Sequence, residues 1–83
     1  MKLLNDELSD YIKLLRFKNK LSQEEAANKL NISRKTYGMW ENNPTQLTLE
    51  TLEKIGEIFN SDLFIFFTEY VAKRKEVNSN ENG

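Results

Sequence analysis

The sequence predicts an all-α fold, a single compact domain of five helices. Eighty-three residues are enough for only one hydrophobic core. Apolar residues at helical spacing recur along the chain about every fifteen residues, and no segment shows the alternation of a half-buried strand. Residues that cap or break helices stand between these clusters. We therefore expect helices joined by short turns.

The first helix is expected from about residue 6 to residue 18, with Asn5 or Asp6 as its cap. The second is expected over residues 22–30. Ser22 and Glu25 have the spacing of a capping box at its start. Apolar residues that would face the core in the first helix are Leu4, Leu8, Tyr11, Ile12 and Leu15.

The second and third helices are separated by very few residues. Asn31 follows the second helix at a position where a left-handed conformation is common. Ser33 can cap a third helix over residues 33–42, which Asn43-Pro44 would end. Two short helices with so tight a turn predict a helix-turn-helix. The wedge between them would consist of Ala26, Ala27, Leu30, Ile32, Tyr37 and Trp40. The alternative is a helical corner without any DNA-binding role.

Thr48 can cap a fourth helix, in which Gly56 would allow the close approach of another helix. Asn60-Ser61-Asp62 would end it and cap a fifth helix that starts at Leu63 and reaches about Arg74. Residues 1–74 form the expected domain, and residues 75–83 have the composition of a disordered tail. The inward positions of the fourth helix would be Leu49, Leu52, Ile55 and Phe59.

Composition argues against several functional classes. The chain has no cysteine and no histidine, so it lacks thiolate ligands, the usual general base and the commonest transition-metal ligand. Its carboxylates come without a Gly-rich loop, a nucleophile–base set or metal-ligand spacing. We expect no enzyme, no cofactor, no metal and no small-molecule ligand. The N-terminus does not resemble a signal peptide, and the longest apolar run, residues 63–67, is too short to span a membrane, which favours a cytoplasmic protein.

Charge is unevenly distributed along the chain. The net charge is −1, but residues 13–35 hold seven basic side chains against two acidic ones, a local net charge of +5. Residues 41–70 hold six acidic side chains against one basic one, a local net charge of −5. A chain with this polarity can present a basic face to nucleic acid. The alternative is that these charges only solvate helix surfaces.

The stretches "LRFKNKLSQEEAANKLNISRKTYGMWENN" and "LTLETLEKIGEIFNSDLFIFF" resemble the lambda-repressor/Cro-type helix-turn-helix proteins, the XRE family. The resemblance covers about residues 12–67. Among small members, the chain is similar to the controller proteins of restriction-modification systems and to Cro-like phage regulators. The resemblance implies a lambda-repressor-like fold and a double-stranded DNA partner bound in the major groove. The residues that carry it are Arg16, the second helix, Ile32-Ser33, Tyr37, Trp40-Glu41 and "TLETLEKI".

The outward side of the third helix is the candidate for reading bases. Arg34 could donate two hydrogen bonds to guanine, and Met39 could contact a thymine methyl group. Gly38, one turn beyond Arg34, would let the helix lie deep in the groove. The alternative for Arg34 and Lys35 is solubility alone. The candidate base-reading residues are Ser33, Arg34, Lys35, Gly38 and Met39.

A second set of residues is expected to contact phosphate. Gln23 lies in the first turn of the second helix, where free N–H groups attract anions, and the resemblance gives a glutamine there the same role. The full set is Gln23, Thr36, Asn42, Asn43, Thr45, Gln46 and Lys18. The resemblance further implies a structural ion pair between Arg16 and Glu41. The alternative is that Arg16 contacts DNA directly.

The fifth helix has more apolar residues than a monomer requires. Those left unaccounted for are Phe64, Ile65, Phe67, Tyr70 and Val71. Exposed apolar patches usually mark interfaces, so we expect a two-fold homodimer through them. The alternative is that a C-terminal helical extension covers them. The leading function is a transcriptional regulator that binds a palindromic operator as a homodimer. The other candidate is an antitoxin that binds a toxin and represses its own operon.

Overall fold

A computed structural model describes the backbone of residues 3–82 and the side chains of residues 3–73. This part of the chain folds into five α-helices with one 3₁₀ turn, so the expectation of an all-α, five-helix domain is confirmed. None of the described helices is long and apolar enough to cross a membrane. The helices are α1 (Leu4–Lys18), α2 (Gln23–Lys29), α3 (Arg34–Asn42), α4 (Leu49–Ile58) and α5 (Leu63–Asn82), and the 3₁₀ turn is Pro44–Gln46.

Three helices begin at the hydroxyl caps that the sequence predicts. The Ser22 hydroxyl accepts from the Glu25 N–H and the Glu25 carboxylate accepts from the Ser22 N–H, both at 3.0 Å. Thr48 accepts from the N–H of Thr51 at 3.1 Å, and Ser33 likewise caps α3. These bonds satisfy N–H groups that would otherwise lack partners at the helix ends. Local sequence therefore determines where α2, α3 and α4 start.

The expected cap of α1 is wrong. The helix begins at Leu4, and its capping residue Leu3 makes no side-chain cap hydrogen bond. Asn5 lies inside the first turn instead, where its side chain bonds to the carbonyl oxygen of Asn42, the last residue of α3, and to the N–H of Thr45 in the 3₁₀ turn. The Asn5 side chain, which the sequence pattern assigns to the start of α1, therefore bonds to residues about forty positions away.

Two asparagines hold the turns. Asn31 has a φ of 58°, the left-handed conformation expected at that position. The amide of Asn19 donates to the carbonyl oxygens of Leu15 at 2.8 Å and Phe59 at 3.2 Å. This second contact ties the end of α1 to the end of α4. The role of Asn19 was not anticipated, because it depends on residues forty positions apart.

The core lies between α1 and the other helices. α1 packs against α3 and the 3₁₀ turn, and α2 packs against α3. One expected core residue is wrong: Leu49 is 72% exposed, because it lies in the first turn of α4 on the side away from the core. The buried apolar residues are Leu8, Ile12, Leu15, Ala26, Ala27, Tyr37, Leu52, Ile55, Phe59 and Leu63.

Gly56 allows the close approach of α5 that the sequence predicts, and of the turn before it, since a Cβ at this position would lie 3.5 Å from Leu63 Cγ of α5. A Cβ at this position would lie 2.6 Å from the backbone carbonyl oxygen of Ser61. The N–H of Ser61 in turn donates to the carbonyl oxygen of Gly56 at 2.9 Å. The missing side chain therefore lets the turn between α4 and α5 fold back onto α4.

The backbone of α5 remains helical to Asn82, beyond the end expected near Arg74. The side chains of residues 74–83 lie outside the described part, as does the backbone of residue 83. The division into a domain of residues 1–74 and a tail of residues 75–83 stays a prediction.

The two helical glycines of α3 and α4 should respond oppositely to alanine. Gly56→Ala should lower the free energy of unfolding by about 1–3 kcal/mol, because its Cβ would overlap a backbone oxygen. At Gly38 a Cβ would meet only the Gln23 side-chain oxygen, at an ordinary 4.0 Å. Gly38→Ala should therefore raise the free energy of unfolding by up to about 1 kcal/mol, because alanine has the higher helix propensity. Urea denaturation of both variants measures the difference. A Gly56→Ala protein as stable as the parent would contradict the close packing.

Candidate nucleic-acid interface

The turn between α2 and α3 is short because backbone hydrogen bonds close it. The N–H groups of Leu30 and Ile32 both donate to the carbonyl oxygen of Ala27, at 3.1 and 3.0 Å. Ala26 and Ala27 are fully buried, and their small side chains let α3 pack closely on α2. Tyr37 fills the space beside them with no exposed surface. The orientation of α3 is thus set by α2.

The inner side of α3 is held by the ion pair between Arg16 and Glu41. The Arg16 Nε and Nη2 atoms donate to the two Glu41 carboxylate oxygens at 2.9 and 3.1 Å. The third guanidinium nitrogen, Nη1, donates to the carbonyl oxygen of Leu21 at 3.1 Å. All three guanidinium nitrogens of Arg16 therefore donate to the protein itself, as a structural ion pair requires.

Gln23 joins this pair from α2. Its Nε2 donates to Glu41 Oε1 at 3.2 Å, so α1, α2 and α3 all contact one carboxylate. Burial acts to raise the pKa of Glu41, but the hydrogen bonds from Arg16 and Gln23, together with the nearby Tyr37 hydroxyl, outweigh it and hold that pKa below its usual value. The bond from Glu41 raises the pKa of Arg16. Both groups are charged at neutral pH.

The hydroxyl of Tyr37 is buried beside this ion pair. It makes no hydrogen bond of regular geometry, yet it is close enough for Glu41 to act on its ionisation. Burial and the neighbouring carboxylate together raise the pKa of Tyr37, so the phenol stays neutral. The inner face of α3 therefore contains a charged pair and a neutral phenol in contact with the core.

The residues predicted to read bases lie together on the outward face of α3. Ser33, Arg34, Lys35 and Met39 are exposed, Met39 to 59%. Ser33 has a second role as the cap, and its hydroxyl also donates to that of Thr36 at 2.9 Å. Gly38 is half-buried, and the Gln23 side-chain oxygen lies on its outer side. The space above Gly38 is thus bordered by a polar group of α2.

The expected phosphate contacts at the ends of α1 and α3 and in the loop after α3 divide into two groups. Thr45 uses both its N–H and its hydroxyl to donate to Asn5 Oδ1, at 3.2 and 2.8 Å. The Asn43 amide donates to the carbonyl oxygen of Met39 at 3.2 Å. The side chains of Lys18, Asn42 and Gln46 are exposed. Thr45 and Asn43 therefore shape the loop, whereas the side chains of the other three extend into solvent.

Asn5 is the main residue of this region that sequence reasoning missed. Its amide nitrogen donates to the carbonyl oxygen of Asn42 at 3.0 Å, which adds to the two bonds from Thr45. Three hydrogen bonds thus hold the loop after α3 against the first turn of α1. The sequence offered only a weak signal for this role, namely that asparagine is a poor helix former yet stands in the first turn of α1.

Phe17 also contributes to the site. Its ring is 66% exposed and lies 4.9 Å from the Arg16 guanidinium carbon. A cation over an aromatic face is attracted by the ring quadrupole. Phe17 therefore adds a cation–π contact to the three hydrogen bonds of the Arg16 guanidinium.

The aromatic residues of α5 have two environments. Phe66 is within 5.0 Å of the Tyr11 ring, 5.5 Å of the Phe67 ring and 6.1 Å of the Tyr70 ring. Phe67 and Tyr70, expected at a dimer interface, are therefore half-buried within the same chain. The members of the expected interface that remain exposed are Phe64, Ile65 and Val71.

Replacing Glu41 by glutamine should destabilise the protein. The carboxylate is fully buried, and its loss leaves Arg16 without a counter-charge, which costs about 3 kcal/mol. Because the folded-state pKa of Glu41 is depressed, the stabilisation is present above its usual value of 4.5 and is lost as pH falls through the folded-state pKa. The gap between parent and Glu41→Gln should therefore narrow in acid.

Urea denaturation across a pH series measures this gap. The exposed Glu53→Gln is the control and should stay within about 0.5 kcal/mol of the parent. A gap that stays constant from neutral to acidic pH would show that Glu41 does not stabilise the fold through its charge.

Comparison with known proteins agrees with this architecture. Residues 12–66 match a family model described as helix-turn-helix, and this span includes α2, α3, α4 and the ion pair. No curated protein and no solved structure gives a significant match to the chain. The matched span covers more than half of the chain, so the protein belongs to the helix-turn-helix family of the XRE/Cro/C1 type, whose domains bind DNA.

Proposed function

We propose that the protein is a sequence-specific transcriptional regulator that reads a palindromic operator as a homodimer. The observation that supports this most strongly is the division of α3. Its inner face is held by Glu41 and Tyr37, while its outward face exposes Arg34 and Lys35. A helix fixed from within and basic outside suits insertion into a major groove.

Base reading is assigned to the outward face of α3. Arg34 lies in the first turn, where it would donate two hydrogen bonds to guanine O6 and N7. Met39 would contact a thymine methyl group, and Lys35 a guanine edge or a phosphate. Gly38 would leave room for the backbone of α3 to approach the bases. Ser33 would contact the bases or backbone at the amino end of the helix.

Phosphate contacts would fix the position of α3 on the duplex. Gln23 lies in the first turn of α2, and one hydrogen of its amide remains beyond the bond to Glu41. The helix end attracts anions as well. Lys18, Asn42 and Gln46 would contact the flanking backbone. Thr36, Asn43 and Thr45 would support these contacts from within the loop and the first turn of α3.

A homodimer would place two copies of α3 about 34 Å apart, one helical turn of DNA. Phe64, Ile65 and Val71 support the dimer because they are large, apolar and about half or more exposed. Two-fold pairing of this surface would bury them on both copies at once.

Arg34→Ala should relax base preference at one position of each half-site and cost about 1–3 kcal/mol of binding free energy. Selection of bound sites from random duplex DNA measures the preference, and titration of a selected site measures the loss. The control is Lys54→Ala, an exposed basic residue of α4 distant from α3 in the chain, which should leave both unchanged. An unchanged base preference in Arg34→Ala would show that this residue does not read bases.

The affinity for DNA should also fall as the salt concentration rises, because phosphate contacts release counterions. An affinity that does not change with salt would argue against DNA binding altogether.

Ile65→Asp should shift the protein from dimer to monomer, because the charge would be buried between two copies. Light scattering at micromolar concentration measures the mass. Leu49→Asp is a matched control, since Leu49 is also apolar and more than half exposed but lies on α4. A parent protein that is monomeric, or a dimer unaffected by Ile65→Asp, would place any interface elsewhere.

A further inference from the structure

A groove of about 620 Å³ lies between α4 and α5. Its apolar part is formed by Leu49 and Leu52 from α4 and by Leu63, Phe64 and Phe67 from α5. Leu49 and Phe64 are 72% and 68% exposed, so two large apolar side chains face solvent here. None of the residues that line the groove belongs to α2 or α3.

All the charged residues that line this groove are acidic: Glu50, Glu53, Glu57 and Asp62. All four are exposed. Glu50 has Lys54 at 3.7 Å, but both side chains are largely in solvent, where such a pair contributes little. The groove therefore combines apolar surface with a negative rim.

The two kinds of residue form parallel rows along α4. Leu49, Leu52 and Gly56 have the i, i+3, i+7 spacing of one helix stripe, in which Leu49 is exposed while Leu52 and Gly56 form the buried floor of the groove. Glu50, Glu53 and Glu57 repeat the spacing on the adjacent stripe, and all three are exposed. Seven residues of helix correspond to a row of about 10 Å. A complementary ligand needs an apolar row and a basic row side by side over about this length.

We propose that the groove binds an amphipathic helix of a partner protein, with leucine-like residues along one stripe and lysine or arginine along the next. Such a helix repeats its side chains at the same spacing as α4, so both rows can be matched at once. The leucine stripe enters between α4 and α5, and the basic stripe faces the row of glutamates. The outward face of α3 remains uncovered, so the partner can bind while that face is engaged.

A second copy of this chain fits the groove less well. Two-fold pairing of one groove with another would bring the two glutamate rows together, and like charges in contact are unfavourable. An anionic membrane surface would be repelled for the same reason. The groove is therefore assigned to a basic partner. It shares Phe64 with the proposed dimer surface, whose other exposed members, Ile65 and Val71, do not line it.

The test uses the full chain and a synthetic helix of about fifteen residues, long enough for measurable helicity in water. The peptide has leucine at i, i+3, i+7 and i+10 and lysine on the adjacent stripe. One control peptide has the same composition in scrambled order, and the other has glutamate in place of lysine. Fluorescence anisotropy of the labelled peptide gives the affinity. We expect the designed helix to bind at least about tenfold more tightly than either control, the effect of losing one row of contacts.

Two protein variants locate the binding. Leu49→Asp should lower the affinity for the peptide by about tenfold, because it changes the apolar row. The double variant Glu53→Lys, Glu57→Lys should lower it by a similar factor, because it changes the acidic row. Ile65 does not line the groove, so the variant Ile65→Asp should leave the affinity for the peptide unchanged. All of these residues are exposed, so the variants should fold, which circular dichroism and urea denaturation verify.

Equal binding of the designed and scrambled peptides would overturn the proposal, because it would show general attraction of cations. Unchanged affinity in both groove variants would overturn it as well. Loss of the dimer in Leu49→Asp, measured by light scattering, would mean that a second copy occupies the groove. The proposal does not rest on DNA binding, so a failure of the operator experiments leaves it unaffected.

Discussion

The buried contact between Arg16, Glu41 and Gln23 is the interaction on which the arrangement of the first three helices depends. One carboxylate without exposed surface accepts from a guanidinium of α1 and an amide of α2, while it belongs to α3. Burying a carboxylate is costly unless it is paired and hydrogen-bonded. The carboxylate therefore favours the one packing in which all its partners meet. Apolar packing alone, which is not directional, would permit sliding of α3 over its neighbours.

The contacts around this pair explain why a helix of nine residues can present a defined surface. Isolated helices of this length are marginal in water. α3 is held at its start by the Ser33 cap, along its inner side by Tyr37 and Glu41, and after its end by Asn5. Its outward residues need not contribute to stability. The exposed side chains of Arg34, Lys35 and Met39 are therefore available for the proposed contacts with DNA.

Much of this architecture was predictable because its signals are local. The capping box at Ser22, the caps at Ser33 and Thr48 and the left-handed Asn31 all depend on backbone groups within a few residues. The outward face of α3 follows from helical spacing in the same way. The errors concern contacts between residues far apart in the chain. Asn5 bonds to a residue forty positions away. Leu49 has the spacing of the apolar stripe of α4, but it is exposed because the core does not extend to the first turn of that helix. Sequence periodicity cannot show where a neighbouring element ends.

By itself, the sequence determined the number of helices, most of their boundaries, the helix-turn-helix and the side of α3 that faces solvent. These features follow from propensity, capping and periodicity, which act between residues close in the chain. Only the tertiary structure decided that Thr45 is held by Asn5, that Phe67 and Tyr70 pack around Phe66, and that Gly56 admits the Ser61 carbonyl. It alone brought the leucine and glutamate rows of α4 beside Phe64 to form a groove. The physical reason is that hydrogen-bond partners and shared surfaces are matters of distance in space, which the order of residues does not specify.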